Sequence, residues 1–331
     1  MANRVGILDR LASGVVLGDG GYLLELEHRG YVQAGPFTPE VVVEHPDAIR
    51  QLHLEFRRAG AEVLQALTFY ADDEKLLPRW GSGMTDEVNR AAVRLARDVA
   101  GEDALVGGTL TQTSSYELGD AASDVRAAAS FEHQLEAQCE EGIDFVIAET
   151  FRYLAEARIA LASIVQQGLP AMITLNVGPN GTADGVAAGE CARTLAGEGA
   201  AIVGVNCNWD PEVSLRVATT MQAAVPPGVY VACQPIGYRT TNPSTPFTAL
   251  EEFPLTLEAL QLSRYDLARF AGKAASAGIG YIGGCCGVSA YHLRAMAEAL
   301  GRCPPASDKS PDLSRHVIPD VRARAGLPPT S

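Results

Sequence analysis

The amino-acid sequence predicts an α/β fold, a single (β/α)8 barrel of the TIM type with long loops after the first and seventh strands. Three observations support this reading. Short apolar runs alternate with longer segments of helical period along most of the 331 residues. Eight such alternations are present. Glycine repeatedly closes a helical segment just before the next run, as in AGAE, AGEDA, EEGID, QQGLP, GEGA and SAGIG, where it can take the left-handed conformation that ends a helix.

Taken in order, the expected strands are 15–17, 63–69, 104–110, 145–148, 171–177, 201–206, 229–233 and 280–283. Amphipathic helices are expected between them, for example over 46–60, 86–100, 153–167 and 262–278. Parallel strands joined by right-handed crossovers close economically when the eighth strand can pair with the first. A doubly wound open sheet would instead need a reversal of strand order that the sequence does not announce. Two stretches break the rhythm, 23–44 with GPFTPE and 236–258, rich in Pro and Thr. Both follow strands, which places them on the face where barrel enzymes carry their sites. The expected division is a barrel over 1–302 and an irregular, proline-rich tail over 303–331.

Composition narrows the class of function. The chain is 47% hydrophobic and 20% charged, as in an ordinary globular protein. Its formal net charge of -14 argues against nucleic acid as a partner, because phosphate binding draws on clustered Lys and Arg. The first residues, MANRVGILDRLASG, hold no apolar signal core, and no run approaches the ~18 apolar residues of a membrane span. Seven cysteines at irregular spacing, without a secretory signal, fit a reducing cytoplasmic setting and free or metal-bound thiols.

The sharpest local signal is Gly283-Gly284-Cys285-Cys286-Gly287, at the end of the eighth strand and just before a helix. Flanking glycines let both sulfurs turn the same way, and a helix N-terminus favours thiolates. Zinc needs a third protein ligand in a catalytic site. Cys207, in GVNC at the end of the sixth strand, offers it, since that end faces the same barrel mouth. Three thiolates with one open position suit a soft incoming ligand such as a substrate thiol. The alternative is three buried cysteines acting as small hydrophobes. Cys139, Cys191, Cys233 and Cys303 carry no partner motif, and His292 is expected on a helix face directed away from the mouth.

Carboxylates stand at two further strand ends, Asp19 in GDGG and Glu149 in AET. They could hold an ammonium group or serve as acid and base of a hydrolase. Tyr22, Phe37, Phe69, Tyr70, Tyr116 and Trp209 fall on the same face, in a chain only 6% aromatic. Rings gathered beside a thiolate site suggest a cage for a cation.

LGDGG, GPFTPE, QALTFYADDEKL, AET, GVNC followed by DP, and YIGGCCG followed by HLRAMAE together resemble the betaine-homocysteine S-methyltransferases, within the wider homocysteine S-methyltransferase family. The similarity runs from about Gly6 to about Arg324. It implies a β/α barrel and a methyl transfer from an onium donor, glycine betaine first among candidates, to homocysteine. It also implies zinc on Cys207, Cys285 and Cys286, and an amino-acid site at Asp19, Gly20, Thr38 and Glu149. The donor would lie against Phe37, Phe69, Tyr70 and Tyr116. Phe37 stands where the betaine enzymes usually have Trp, and Thr150 where the animal enzymes have Tyr. The long C-terminal extension that links subunits in the animal enzymes is missing, so a homo-oligomer is possible without their tetramer being implied. A sulfonium donor such as S-methylmethionine or dimethylsulfoniopropionate is the alternative substrate. A zinc-dependent thiol amino acid binding protein without turnover is the alternative of another class.

Overall fold

The computed structural model describes residues 5–35, 39–240, 242, 245–318, 321 and 324. Helix α1 (Ile7–Ser13) precedes β1 (Val16–Leu17), which is followed by α2 (Leu23–His28), α3 (Val41–Glu44) and α4 (Pro46–Ala59). Then come β2 (Val63–Gln65), α5 (Asp73–Trp80), α6 (Met84–Ala100), β3 (Leu105–Thr111), α7 (Ala121–Glu140) and β4 (Phe145–Phe151). The chain continues with α8 (Leu154–Gln166), β5 (Ala171–Leu175), α9 (Ala188–Gly197), β6 (Ile202–Asn206) and α10 (Pro211–Gln222). It closes with β7 (Tyr230–Gln234), α11 (Arg264–Ser276), β8 (Tyr281–Ile282) and α12 (Ala290–Ala299).

All eight strands are parallel and follow one another around the sheet, with β1 paired to β8. The barrel expected from the sequence is the observed architecture. The seam between β1 and β2 is closed largely by one residue ahead of β2. Glu62 N donates to Leu17 O at 2.8 Å, and Leu17 N donates back to Glu62 Oε1 at 2.9 Å. Arg302 pairs with Glu62 at 2.5 Å and also donates to Val15 O, so the segment after α12 locks the seam from outside.

Alternation along the strands divides the core in two. Val16, Val63, Leu105, Phe145, Met172, Ile202 and Tyr281 form one cluster, and Ile7 and Leu11 of α1 complete it as a plug at the N-terminal end. The larger cluster lies between the strands and the helical ring, where Leu17, Leu64, Val106, Val146, Ile173, Val203 and Ile282 meet apolar helix faces. Helix ends follow local chemistry. Asp210 caps α10 by accepting from Glu212 N and Val213 N at 3.0 Å, and Gly60 ends α4 with φ 111°. His292 caps α12: its Nδ1 accepts from Ser289 N at 3.0 Å while Nε2 lies 2.8 Å from Leu262 O. After α12 the chain makes 3₁₀ turns at Pro305–Lys309 and Leu313–Arg315. Among the described residues, no helix is long and apolar enough to cross a membrane.

Strand lengths depart from the sequence reading at the mouth. β2 ends at Gln65 and β8 spans only Tyr281–Ile282, whereas β4 runs on to Phe151 through an irregularity between Ala148 and Phe151.

Glu156, in the first turn of α8, shows how the mouth loops are tied down. Its buried carboxylate accepts from Thr113 N at 2.6 Å and from the Thr113 hydroxyl at 3.1 Å. Burial lifts its pKa to about 7, above the ordinary value of 4.5. The raised folded-state value means that stability from the protonated form is present below about pH 4.5 and is lost as pH rises through about 7. Glu156→Gln should therefore melt above the wild type at pH 8 and lose that advantage at pH 4 to 5, measured by thermal unfolding across the range.

Candidate active site

The C-terminal ends of β6 and β8 converge although β7 lies between them. The backbone at the end of β7 is the bridge. Cys207 N donates to Gln234 O at 3.0 Å, Cys285 N donates to Pro235 O at 2.9 Å, and Gly237 N donates to Cys286 O at 2.8 Å. Cys207 and Asn208 adopt left-handed backbone, with φ 58° and 55°, a conformation that non-glycine residues hold only when surroundings enforce it. Gly287, with φ 78°, turns the chain where a Cβ would come within 2.4 Å of the Tyr238 ring. The sulfurs of Cys207, Cys285 and Cys286 consequently lie within 4.8 Å of one another, with Cys207 Sγ 3.7 Å from Cys286 Sγ.

The first strand is drawn in beside them. Asp19 O accepts from Gly284 N at 2.9 Å, and Gly21 N donates to Val288 O at 2.9 Å. A Cβ on Gly20 would meet Val288 O at 2.2 Å, and one on Gly21 would meet Cys285 O at 2.5 Å. Only glycine permits this approach.

Asp19 and Glu149 are both buried, and Gln65 ties them together. Gln65 N donates to Asp19 Oδ2 at 2.7 Å, and its side-chain Nε2 donates to Glu149 Oε1 at 2.5 Å. The Tyr22 hydroxyl donates to Asp19 Oδ2 at 2.5 Å, and Asn206 Nδ2 donates to Glu149 Oε2 at 2.9 Å. Asn206 also fixes Thr150, whose φ is 66°, by accepting from its N at 2.9 Å and donating to its hydroxyl at 2.8 Å. Among the described residues, neither carboxylate pairs with Lys or Arg, and Asp19 Oδ1 is buried without a partner.

Burial dominates the electrostatics. It raises Asp19 to about 7, against the lowering effect of the Tyr22 and Gln65 hydrogen bonds. It holds Glu149 well above the usual carboxylate range, against the lowering effect of the Gln65 hydrogen bond. Hydrogen bonds from Cys285 and Cys286 hold Cys207 well below the ordinary thiol value, and those same bonds to Cys207 push the other two well above it. Without a cation the triad accommodates one thiolate. Three thiolates require a neutralising positive charge, and three sulfur donors at this spacing fit a zinc-sized ion.

A pocket open to the mouth brings the cysteines and Glu149 together, lined by Gly20, Gly21, Gln65, Phe69, Glu149, Thr150 and all three cysteines among others. Tyr70, with φ 59°, holds its ring tilted at 59° to that of Phe69 with centroids 4.3 Å apart, and its hydroxyl accepts from Gln112 at 3.3 Å. Tyr116 lines a separate outer groove and packs against Tyr153 at 5.6 Å. Trp209 is buried against Gly178. Phe37 and Thr38 lie outside the described residues. Sequence reasoning passed over Gln65 and Asn206. Each is a polar residue closing an otherwise apolar strand, and that was the available signal.

The homocysteine S-methyltransferase family profile matches residues 16–300, most of the chain. The chain belongs to this family. It is an S-methyltransferase, and relatives agree over nearly its whole length. It is 45% identical to betaine–homocysteine S-methyltransferase 1 of Mus musculus, over 97% of this chain and 83% of the relative. It is 43% identical to an S-methylmethionine–homocysteine S-methyltransferase of Pongo abelii, over 97% of this chain and 90% of the relative. The fold matches that of the homocysteine methyltransferase MmuM from Escherichia coli in its oxidised form, with a TM-score of 0.69 and 21% identity, covering 86% of this methyltransferase and 95% of that chain.

The close approach of β1 to β8 gives a direct test of this geometry. Gly21→Ala should abolish most methyl transfer and lower the melting temperature, because the added Cβ meets Cys285 O. Gly272→Ala, which meets nothing within 4 Å in α11, should leave activity intact and gain up to about 1 kcal/mol of stability. Activity and melting curves of both variants check the pair.

Proposed function

We propose that the chain transfers a methyl group from an onium donor, glycine betaine first among candidates, to the sulfur of homocysteine, giving methionine and dimethylglycine. The observation that carries this reading is one pocket lined by three converged cysteines and Glu149, with the buried Asp19 tied to Glu149 through Gln65 and neither carboxylate paired with Lys or Arg among the described residues. Cys207, Cys285 and Cys286 would hold zinc, which when bound supplies Lewis-acid stabilisation of a thiolate at neutral pH.

The chain's own residues supply the rest. Asp19 and Glu149 accept hydrogen bonds from the homocysteine ammonium, whose charge compensates their burial. Gln65, Tyr22 and Asn206 orient those carboxylates by occupying their other acceptor positions. Gly20 and Gly21 leave room for the amino acid, with Thr38 assigned beside it. Phe69, which lines the pocket, presents its ring to the donor's positive charge, with Tyr70 and Phe37 as further candidates; Lys75 Nζ already lies over the Tyr70 ring at 5.0 Å, and Tyr116 stands apart in the outer groove. The donor nitrogen leaves as a neutral amine, so no general acid is required. Alignment of donor methyl and acceptor sulfur is the main contribution asked of the protein. A sulfonium donor is the second reading, favoured by the similarity to an S-methylmethionine-using relative.

Two tests follow. Protein purified without chelators should contain about one zinc per chain, and Cys207→Ala or Cys285→Ala should lose both metal and methyl transfer while staying folded. Full metal content and activity in either variant would remove that residue from the ligand set. Asp19→Asn and Glu149→Gln should each weaken homocysteine about ten- to a hundredfold, the effect of one charge-assisted hydrogen bond. Methionine production from homocysteine and a panel of onium donors, read by mass spectrometry, assigns the donor.

A further inference from the structure

His53 lies on α4, away from the thiols, and is fully buried. Its Nδ1 is 3.0 Å from the Tyr22 hydroxyl, the same hydroxyl that reaches Asp19 Oδ2 at 2.5 Å. The rings of Tyr22 and His53 meet edge to face at 5.3 Å, and Phe56 packs on Tyr22 from another side at 5.1 Å. His53 Nε2 is buried without a partner.

These contacts select one tautomer. Burial pushes the His53 pKa down to about 3, so the ring is neutral and carries one proton. A proton on Nε2 would leave a buried N–H without an acceptor and would place two acceptors, Nδ1 and Asp19 Oδ2, around the single Tyr22 hydrogen. A proton on Nδ1 uses every hydrogen and leaves idle only a lone pair, the less costly arrangement.

We propose that His53 is a positioning residue for the amino-acid substrate: its Nδ1–H donates to the Tyr22 oxygen, which commits the Tyr22 hydrogen to Asp19 Oδ2 and keeps Oδ1 for the substrate ammonium. Oδ2 is then filled by Tyr22 and Gln65 N, and Oδ1 is the carboxylate oxygen left without a partner. A polarised chain of this kind also strengthens the Tyr22 donor. The assignment rests on Asp19 binding the homocysteine amino group.

Two measurements on the full chain test it. Histidine side-chain nitrogen NMR should find His53 in the Nδ1–H form, a result independent of turnover; the Nε2–H form would overturn the proposal. In kinetics, His53→Phe keeps a ring but removes the donor, and should raise KM for homocysteine about fivefold, the loss of one neutral hydrogen bond, with kcat and donor KM little changed. His53→Asn, which returns an N–H near the Nδ1 position, should recover most of that loss. An unchanged KM in His53→Phe, or equal loss in both variants, would reduce His53 to packing. Asp19→Asn measured alongside separates the two failures: if it leaves KM unchanged, the amino-group reading itself falls; if it raises KM while His53→Phe does not, only the role of His53 falls.

Discussion

Bringing three sulfurs from two non-adjacent strand ends within 4.8 Å of one another is the constraint on which the rest of the mouth depends. Thiols at that spacing share one negative charge readily and three only with a cation between them, so the chain must hold them together against a repulsion that grows with ionisation. It does so with backbone. The end of β7 hydrogen-bonds to both cysteine segments, left-handed residues turn β6 inward, and glycines let β1 close against β8. The left-handed residues Tyr70, Thr150, Cys207 and Asn208 all stand at strand ends on this one face, which is where strain is expected when geometry serves chemistry rather than stability.

A second consequence is a site rich in buried acceptors whose two carboxylates, among the described residues, pair with no Lys or Arg. Asp19, Glu149 and the cysteine triad are buried together, and burial disfavours charge in each carboxylate. In the proposed reading, every ligand of the site brings positive charge: the metal to the sulfurs, the ammonium to the carboxylates, the onium donor to the aromatic rings. The same desolvation that penalises the empty groups then becomes selectivity, because a neutral analogue would leave buried carboxylates uncompensated.

The barrel was legible because each strand is a short apolar run and each helix has its own period, and these patterns depend on which residues face the two cores. The cysteine triad and the two carboxylates were legible because barrel topology sends all strand ends to one face. What the sequence did not reveal are features created by local departures from the regular pattern. The run VLQALTF reads as one strand over 63–69, yet β2 stops at Gln65, the last residue paired with β3, whose N–H and side chain reach Asp19 and Glu149. The AET stretch reads as a strand ending at 148, yet β4 continues through an irregularity that aims Glu149 into the pocket. His53 sits one turn beyond Ile49 on the buried face of α4, a spacing that marks it as interior but says nothing of Tyr22. Partners that meet only through tertiary packing leave no period to read.

The account's central claim is that Cys207, Cys285 and Cys286 act as one metal-binding unit distinct from the other cysteines. Alkylation of the native protein, followed residue by residue by mass spectrometry with and without zinc, tests it most directly, with the half-buried Cys139 and the exposed Cys303 as internal references. Zinc should slow modification of the three site cysteines together and leave Cys139 and Cys303 unchanged. Protection that misses any of the three, or that extends equally to the references, would contradict the account.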